Sequence, residues 1–152
     1  MQSSMGESRA VTIRAEVEEL RQRRERAFHA HDAEALAADY TEDCVVESPM
    51  AGTLEGRVAV EAACSDLFHA FPDLEFHHEE MVVEGDRVAV FWSMQGSHLG
   101  KLFGFGATGR SIEVHGALLL TLYENKIAHE RRIYDFTGML VQIGALKARP
   151  AY

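Results

Sequence analysis

The stretch Ser111–Asp135 reads SIEVHGALLLTLYENKIAHERRIYD. Two runs rich in aliphatic and β-branched residues flank YENK, and a tight turn there folds them into an antiparallel hairpin. With Leu122 opposite Ile127, a regular register sets Leu120 against His129, Leu118 against Arg131, Gly116 against Ile133 and Val114 against Asp135. That face is aliphatic, with His129, Arg131 and Asp135 set into it. The other carries Glu113, His115, Ala117, Leu119, Lys126, Glu130 and Arg132. The first face is expected to be concave, because polar groups on an apolar wall are the make-up of a small-molecule pocket. The plainer alternative is that Asp135 caps the helical segment after it.

Working toward the N-terminus, EFHHEEMVV, the turn EGDR and VAVFWSMQGSH form a second hairpin. Its regular register groups Val88, Val90, Trp92, Met94, Gly96 and His98, with Val83, Met81, Glu79 and His77 opposite. A β-bulge anywhere would reverse the facing of every residue beyond it. His115 is the most sensitive: it faces outward on a straight register, beside an apolar strip of Ala117 and Leu119 that suits a dimer interface, and one bulge would turn it into the cone. His29, His31, His69, His77 and His78 suit solvated or structural roles better.

The first half of the chain has helical spacing instead. Val11, Ile13, Val17, Leu20, Ala27 and Phe28 mark a long amphipathic helix over Arg9–Ala30, after a loose tail at residues 1–8. Asp32 can cap a short second helix carrying Leu36, Ala37 and Tyr40, followed by the strand CVVES, which stops at Pro49. Gly52 and Gly56 bracket a turn, and Val58–Phe71 reads as a third helix ended by Pro72. Gly138–Leu146 reads as a closing helical turn or short helix. Helices first and antiparallel strands afterwards specify one α+β domain over 9–152, a cone-shaped curved sheet wrapped around the N-terminal helices.

Composition narrows the function. The 152 residues suffice for one domain. A formal charge of −9 gives no general attraction for phosphate backbones, so nucleic acid is not an expected partner. No apolar run of membrane-spanning length and no secretory signal are evident, so a cytoplasmic protein is expected. Cys44 and Cys64 lack metal or redox spacing and read as small apolar residues, and no metal-ligand motif is present.

The chain resembles the SnoaL-like polyketide cyclase family, of the cone-shaped fold shared with nuclear transport factor 2 and ketosteroid isomerase, a cystatin-like α+β barrel. The resemblance rests on Gly56 with its helix, FPDLEF from Phe71, EGDRVAVFWSMQGSHLG from Glu84, ATGRSIEVHG from Ala107, ENKIAHE, and YDFTGMLVQIG from Tyr134. It implies a cofactor-independent intramolecular aldol cyclisation, with Asp135 matching the family's acid/base and His98 its glycine-flanked histidine.

An aldol closure needs a base to remove a proton from an activated carbon and an acid to protonate the resulting alkoxide, and one carboxyl group can do both. An apolar cone helps, since burial raises a carboxyl pKa from its usual value of about 4. The expected site is therefore Asp135 as acid/base, with His98 and His129 bonding substrate oxygens and Arg131 orienting them. Trp92 forms a flat wall, and Met94, His115, Leu118, Phe28 and Tyr40 complete the substrate surface. The expected ligand is small, hydrophobic and polyketide-like or polycyclic, bound without a cofactor or metal by a homodimer or higher homo-oligomer. A non-catalytic binding or dimerisation domain, and a ketosteroid isomerase-like or epoxide hydrolase-like enzyme, are the alternatives.

Overall fold

The computed structural model describes residues 2–147 and 149, with side chains from residue 14 onward. In chain order the elements are α1 (Gln2–His29), α2 (Ala33–Ala38), β1 (Tyr40–Ser48), β2 (Gly52–Glu55), α3 (Arg57–Ala70), β3 (Glu75–Glu84), β4 (Arg87–Ser97), β5 (Ser111–Tyr123), β6 (Lys126–Tyr134) and α4 (Phe136–Gln142). The strands form one curved, unclosed sheet in the order β2-β1-β6-β5-β4-β3, antiparallel except for β1 beside β6. This is the α+β cone expected, with the mixed pairing coming from the parallel β1–β6 contact.

Local chemistry sets most boundaries. Asp32 caps α2, its carboxylate accepting from the Ala35 N–H at 3.0 Å. Tyr40, expected on that helix, instead opens β1, and α3 stops at Ala70, short of Pro72. The β5–β6 turn places Glu124 and Asn125 at φ 47° and 65°, the left-handed pair of a two-residue hairpin. Helix α1 begins before Arg9, since only Gly6 in MQSSMGES strongly opposes a helix. The side chains of that stretch, with Val11 and Ile13, lie outside the described residues. Among the described residues no helix is long and apolar enough to cross a membrane.

Two bulges decide which side chains face the helices. In β3, His78 pairs with Trp92 but Glu80 pairs with Phe91, leaving Glu79 as the extra residue. In β6, Ile127 pairs with Leu122 but His129 pairs with Thr121, so Ala128 is extra. Because side chains alternate, each extra residue reverses one stretch of its strand relative to the regular register. His78 and Phe76 replace His77 on the concave side, and Glu130, Arg132 and Tyr134 replace His129, Arg131 and Ile133.

Strands β4 and β5 keep the expected facing. Val88, Val90, Trp92, Met94, Ile112, Val114 and Leu120 are at most 5% exposed. Against them lies an α1 stripe of Val17, Leu20, Arg24 and Ala27, all buried, in which the one charged residue is Arg24. The buried side chains form two clusters, one around Phe71, Trp92, Met139 and Ile143, the other around Leu20, Tyr40, Val46, Val90 and Ile127. Leu118 and Cys64 pack against both.

Candidate active site

Between those clusters lies a pocket of about 90 Å³, walled by α1, α3 and the concave sheet. Its aromatic wall begins on α1: Phe28 stacks on Phe76 with ring centroids 4.2 Å apart, Phe76 on Trp92 at 5.3 Å, and Trp92 meets Tyr134 edge-on at 5.6 Å. His78, Trp92, Gly116 and Tyr134 form one row across four strands. A glycine is required in this row. A Cβ at Gly116 would lie 2.4 Å from Cζ2 of Trp92, so its absence lets the indole lie flat over the sheet. Met94 and Leu118 also line the pocket, as does Cys64, whose thiol pKa is raised by burial.

The floor is polar. Glu130 is 1% exposed and has both oxygens engaged: Oε1 accepts from the Tyr40 hydroxyl at 2.6 Å and Oε2 from Nε of Arg132. Burial opposes its charge, yet Arg132, Arg24 and the Tyr40 hydrogen bond hold Glu130 below the usual glutamate range. Nη2 of Arg24 donates to the Tyr40 hydroxyl at 3.3 Å and Nη1 to the Leu36 carbonyl at 3.4 Å. Burial alone would lower the arginine pKa values, but the surrounding acidic groups raise both Arg24 and Arg132. The guanidiniums stay charged.

His78 is a titratable group on this wall that is uncharged and makes no hydrogen bond among the described residues. Burial, reinforced by the positive charge of Arg24, pushes its pKa down to about 4. Nδ1 is buried without a hydrogen-bond partner, 3.7 Å from Glu25 Oε1. Nε1 of Trp92 is likewise buried and unpartnered. On the same side, the Tyr134 hydroxyl accepts from the Met50 N–H at 3.2 Å and shares a 3.0 Å hydrogen bond with Ser48 Oγ.

The residues singled out from sequence divide sharply. Phe28, Trp92, Met94 and Leu118 line the pocket. Tyr40 lies behind the floor, fully buried against Glu130. His98 is buried beyond the end of β4, its ring beside Phe71 and its Nδ1 3.0 Å from Thr108 Oγ1, away from the pocket wall. The Ala128 bulge turns His129 and Arg131 to the convex face, where both approach Glu47 Oε2, at 2.9 and 3.6 Å. His115 is also outside, near Glu113 and Glu79 at 3.3 and 3.9 Å, because β5 carries no bulge before it. Asp135 is exposed and caps α4, Oδ1 accepting from the Gly138 N–H at 2.7 Å. The expected pairing of Val114 with Asp135 is replaced by a ladder ending at Gly116 and Tyr134.

Sequence reasoning missed Arg24, His78, Glu130, Arg132 and Tyr134. Two signals pointed to Arg24 and His78, and none to the three β6 residues. The α1 stripe has an arginine where its spacing calls for an apolar residue. In β3 the apolar alternation slips phase between Phe76 and the Met81–Val83 pair, as a bulge requires. Among the described residues no group of three or more His, Cys, Asp or Glu is placed to hold a metal ion.

The family model described as SnoaL-like polyketide cyclase matches residues 18–143. The chain belongs to the SnoaL-like polyketide cyclase family. Over 93 residues it is 34% identical to the aklanonic acid methyl ester cyclase DnrD of Streptomyces peucetius, a match covering 60% of this chain and 63% of DnrD. The chain thus spans about three fifths of the length of that curated relative. TsrD from Streptomyces laurentii superposes with a TM-score of 0.78 at 24% identity, over 88% of this chain and 98% of TsrD. IdmH from Streptomyces antibioticus, a candidate polyketide cyclase, gives 0.67 at 26% identity over 79% and 92%. Shared SnoaL-like architecture accounts for the cone and for the helices that close its concave side.

Proposed function

We propose that this chain is a cofactor-independent cyclase that closes a ring in a polyketide-derived substrate by intramolecular aldol condensation, with His78 as the proton-transferring group. The observation that carries this is the pairing of a neutral, uncommitted imidazole with charged guanidiniums on one aromatic-walled pocket, in a chain of this family. The imidazole takes the proton from a carbon flanked by carbonyls. The electron pair left behind forms the new C–C bond to a ketone carbon, and the imidazolium returns its proton to the alkoxide oxygen. The reaction is redox-neutral, and every proton that leaves the substrate carbon is given back. Arg24 stabilises the negative charge that develops on oxygen, in surroundings where water does not screen it.

Glu130 is a poor alternative base, since both of its oxygens are engaged and its pKa is lowered. Asp135 remains the competing assignment from family resemblance. One experiment separates them: ring closure measured on aklanonic acid methyl ester, the compound for which DnrD is named, and on its free acid. His78→Asn is expected to lower kcat by at least about 100-fold, the lower end of a general-base contribution. Asp135→Asn, which keeps a good helix cap, is expected to retain turnover. The opposite pattern assigns the proton transfer to Asp135, and no ring closure on either compound by the native protein overturns the cyclase reading.

A second copy of the chain is the proposed partner. On the convex face Phe91, Ala117 and Ile133 form a row across β4, β5 and β6, with Phe91 50% and Ile133 68% exposed. The acidic Glu47, Glu79 and Glu113 and the basic Arg131 flank this strip, the mixture of signs that a two-fold, self-complementary interface needs.

A further inference from the structure

The pocket floor presents hydrogen-bond donors whose acceptors are missing. Arg132 spends Nε on Glu130, while its two Nη groups make no hydrogen bond among the described residues. Its side chain is 23% exposed and lines the pocket. Nε1 of Trp92, a residue 4% exposed on the same wall, is a second donor with no partner. On the acceptor side the floor is spent, and the unpartnered acceptor of the pocket is the neutral His78 ring on the wall. Glu130 uses both oxygens, and the Tyr134 hydroxyl is engaged with Ser48 and Met50.

Charge points the same way. Within the floor Arg24 and Arg132 face one carboxylate, Glu130. The next nearest carboxylate, Asp39, is 3.9 Å from Arg24 and is shared with Arg23 at 3.2 Å. At the rim Arg21 is matched by Glu18 and Glu25, which are half-exposed and screened by water. The surface lining the pocket floor therefore presents two guanidiniums and one carboxylate, with Asp39 buried behind Arg24 and out of the lining. A guanidinium with both Nη groups free offers a planar fork that fits two oxygens on one carbon, and a neutral carbonyl would use only one.

We infer that the ligand of this pocket carries a free carboxylate, held by the Nη groups of Arg132 on the floor beneath Trp92. The inference rests on the pocket being the ligand site and sharpens the substrate class. A ring-bearing acid is bound where the relative DnrD is named for a methyl ester.

Benzoate and benzamide test this, because they share size and shape and differ in charge. Trp92 is the sole tryptophan of the chain, so quenching of its fluorescence reports occupancy of this pocket. At neutral pH benzoate is expected to bind at least about tenfold more tightly than benzamide, with the preference shrinking as salt is raised. Arg132→Gln, which removes both the charge and the fork, is expected to lose most of the preference. Equal affinity of the two probes in the native protein overturns the carboxylate assignment while leaving the pocket intact as a ligand site. A benzoate preference that survives in a folded Arg132→Gln protein places the anion elsewhere and overturns it too. No response to either probe overturns the reading of the pocket itself.

Discussion

At the scale of single residues, His78 and Asp135 show how burial assigns roles that residue type leaves open. Asp135 sits where a strand passes into a helix, and in solvent its carboxylate is most useful to the unpaired N–H groups of α4. His78 is enclosed by Trp92 and Phe76 with Arg24 nearby, and both effects favour the neutral ring. The folded-state pKa of about 4 lies below the unfolded value of about 6.5. Above the unfolded value both states hold a neutral ring and the residue costs nothing. As pH falls from about 6.5 to about 4, the unfolded chain takes up a proton that the folded chain does not, and stability drops through that window. The charged groups facing the ring, Arg21, Arg24, Glu25 and Glu130, stay in place in a His78→Asn variant. Urea unfolding at pH 7 and pH 4.5 is expected to show the native protein losing roughly 2–3 kcal/mol more than that variant. An equal loss in both would mean that the ring is not desolvated in solution.

At the scale of elements, two extra residues matter more than any motif. Without Glu79 and Ala128 the regular ladders would put His77, His129 and Arg131 in the cone and send Arg132 and Tyr134 outside. In β3 the shift was legible in the apolar alternation. In β6 it was hidden, because Ile127 and Ile133 share a parity and suggest an unbroken strand, whereas Ile133 is a surface residue. A single aliphatic residue reports burial poorly when its strand also borders a possible interface. Strand β5 carries a separate constraint at Gly116. Gly116→Ala would drive a methyl group into the Trp92 indole, and overpacking of this kind costs about 1–3 kcal/mol. Denaturant unfolding should show that loss together with an altered near-ultraviolet signal from Trp92. In a Trp92→Leu background the same substitution should cost less, and an undiminished cost would detach Gly116 from the indole.

At the scale of the whole molecule, the sheet has two faces with different tasks. The concave face buries aliphatic rows and encloses the polar floor, and the convex face leaves the row of Phe91, Ala117 and Ile133 facing solvent. An exposed row of this kind across three strands is costly in a monomer and is covered when two sheets pack back to back. Sedimentation of the native protein is expected to give a dimer, and Phe91→Glu with Ile133→Glu a folded monomer. A native protein that sediments as a monomer at tens of micromolar would remove the interface.

The sequence by itself determined the class of the fold, because helical spacing before Leu74 and period-two alternation after it depend on which residues are neighbours along the chain. It also determined half of the pocket: β4 and β5 run without irregularity, so Trp92, Met94 and Leu118 face where alternation puts them. The tertiary structure decided the other half. Whether Glu130 or His129 turns inward depends on one unpaired residue in a ladder, and pairing is a property of two strands and a parallel neighbour together. The buried chain of Arg24, Tyr40, Glu130 and Arg132 joins a helix to two strands, bringing Tyr40 and Glu130 together across 90 positions. No spacing rule reaches that far, and the low-dielectric site these residues create exists only once the sheet has curled around them.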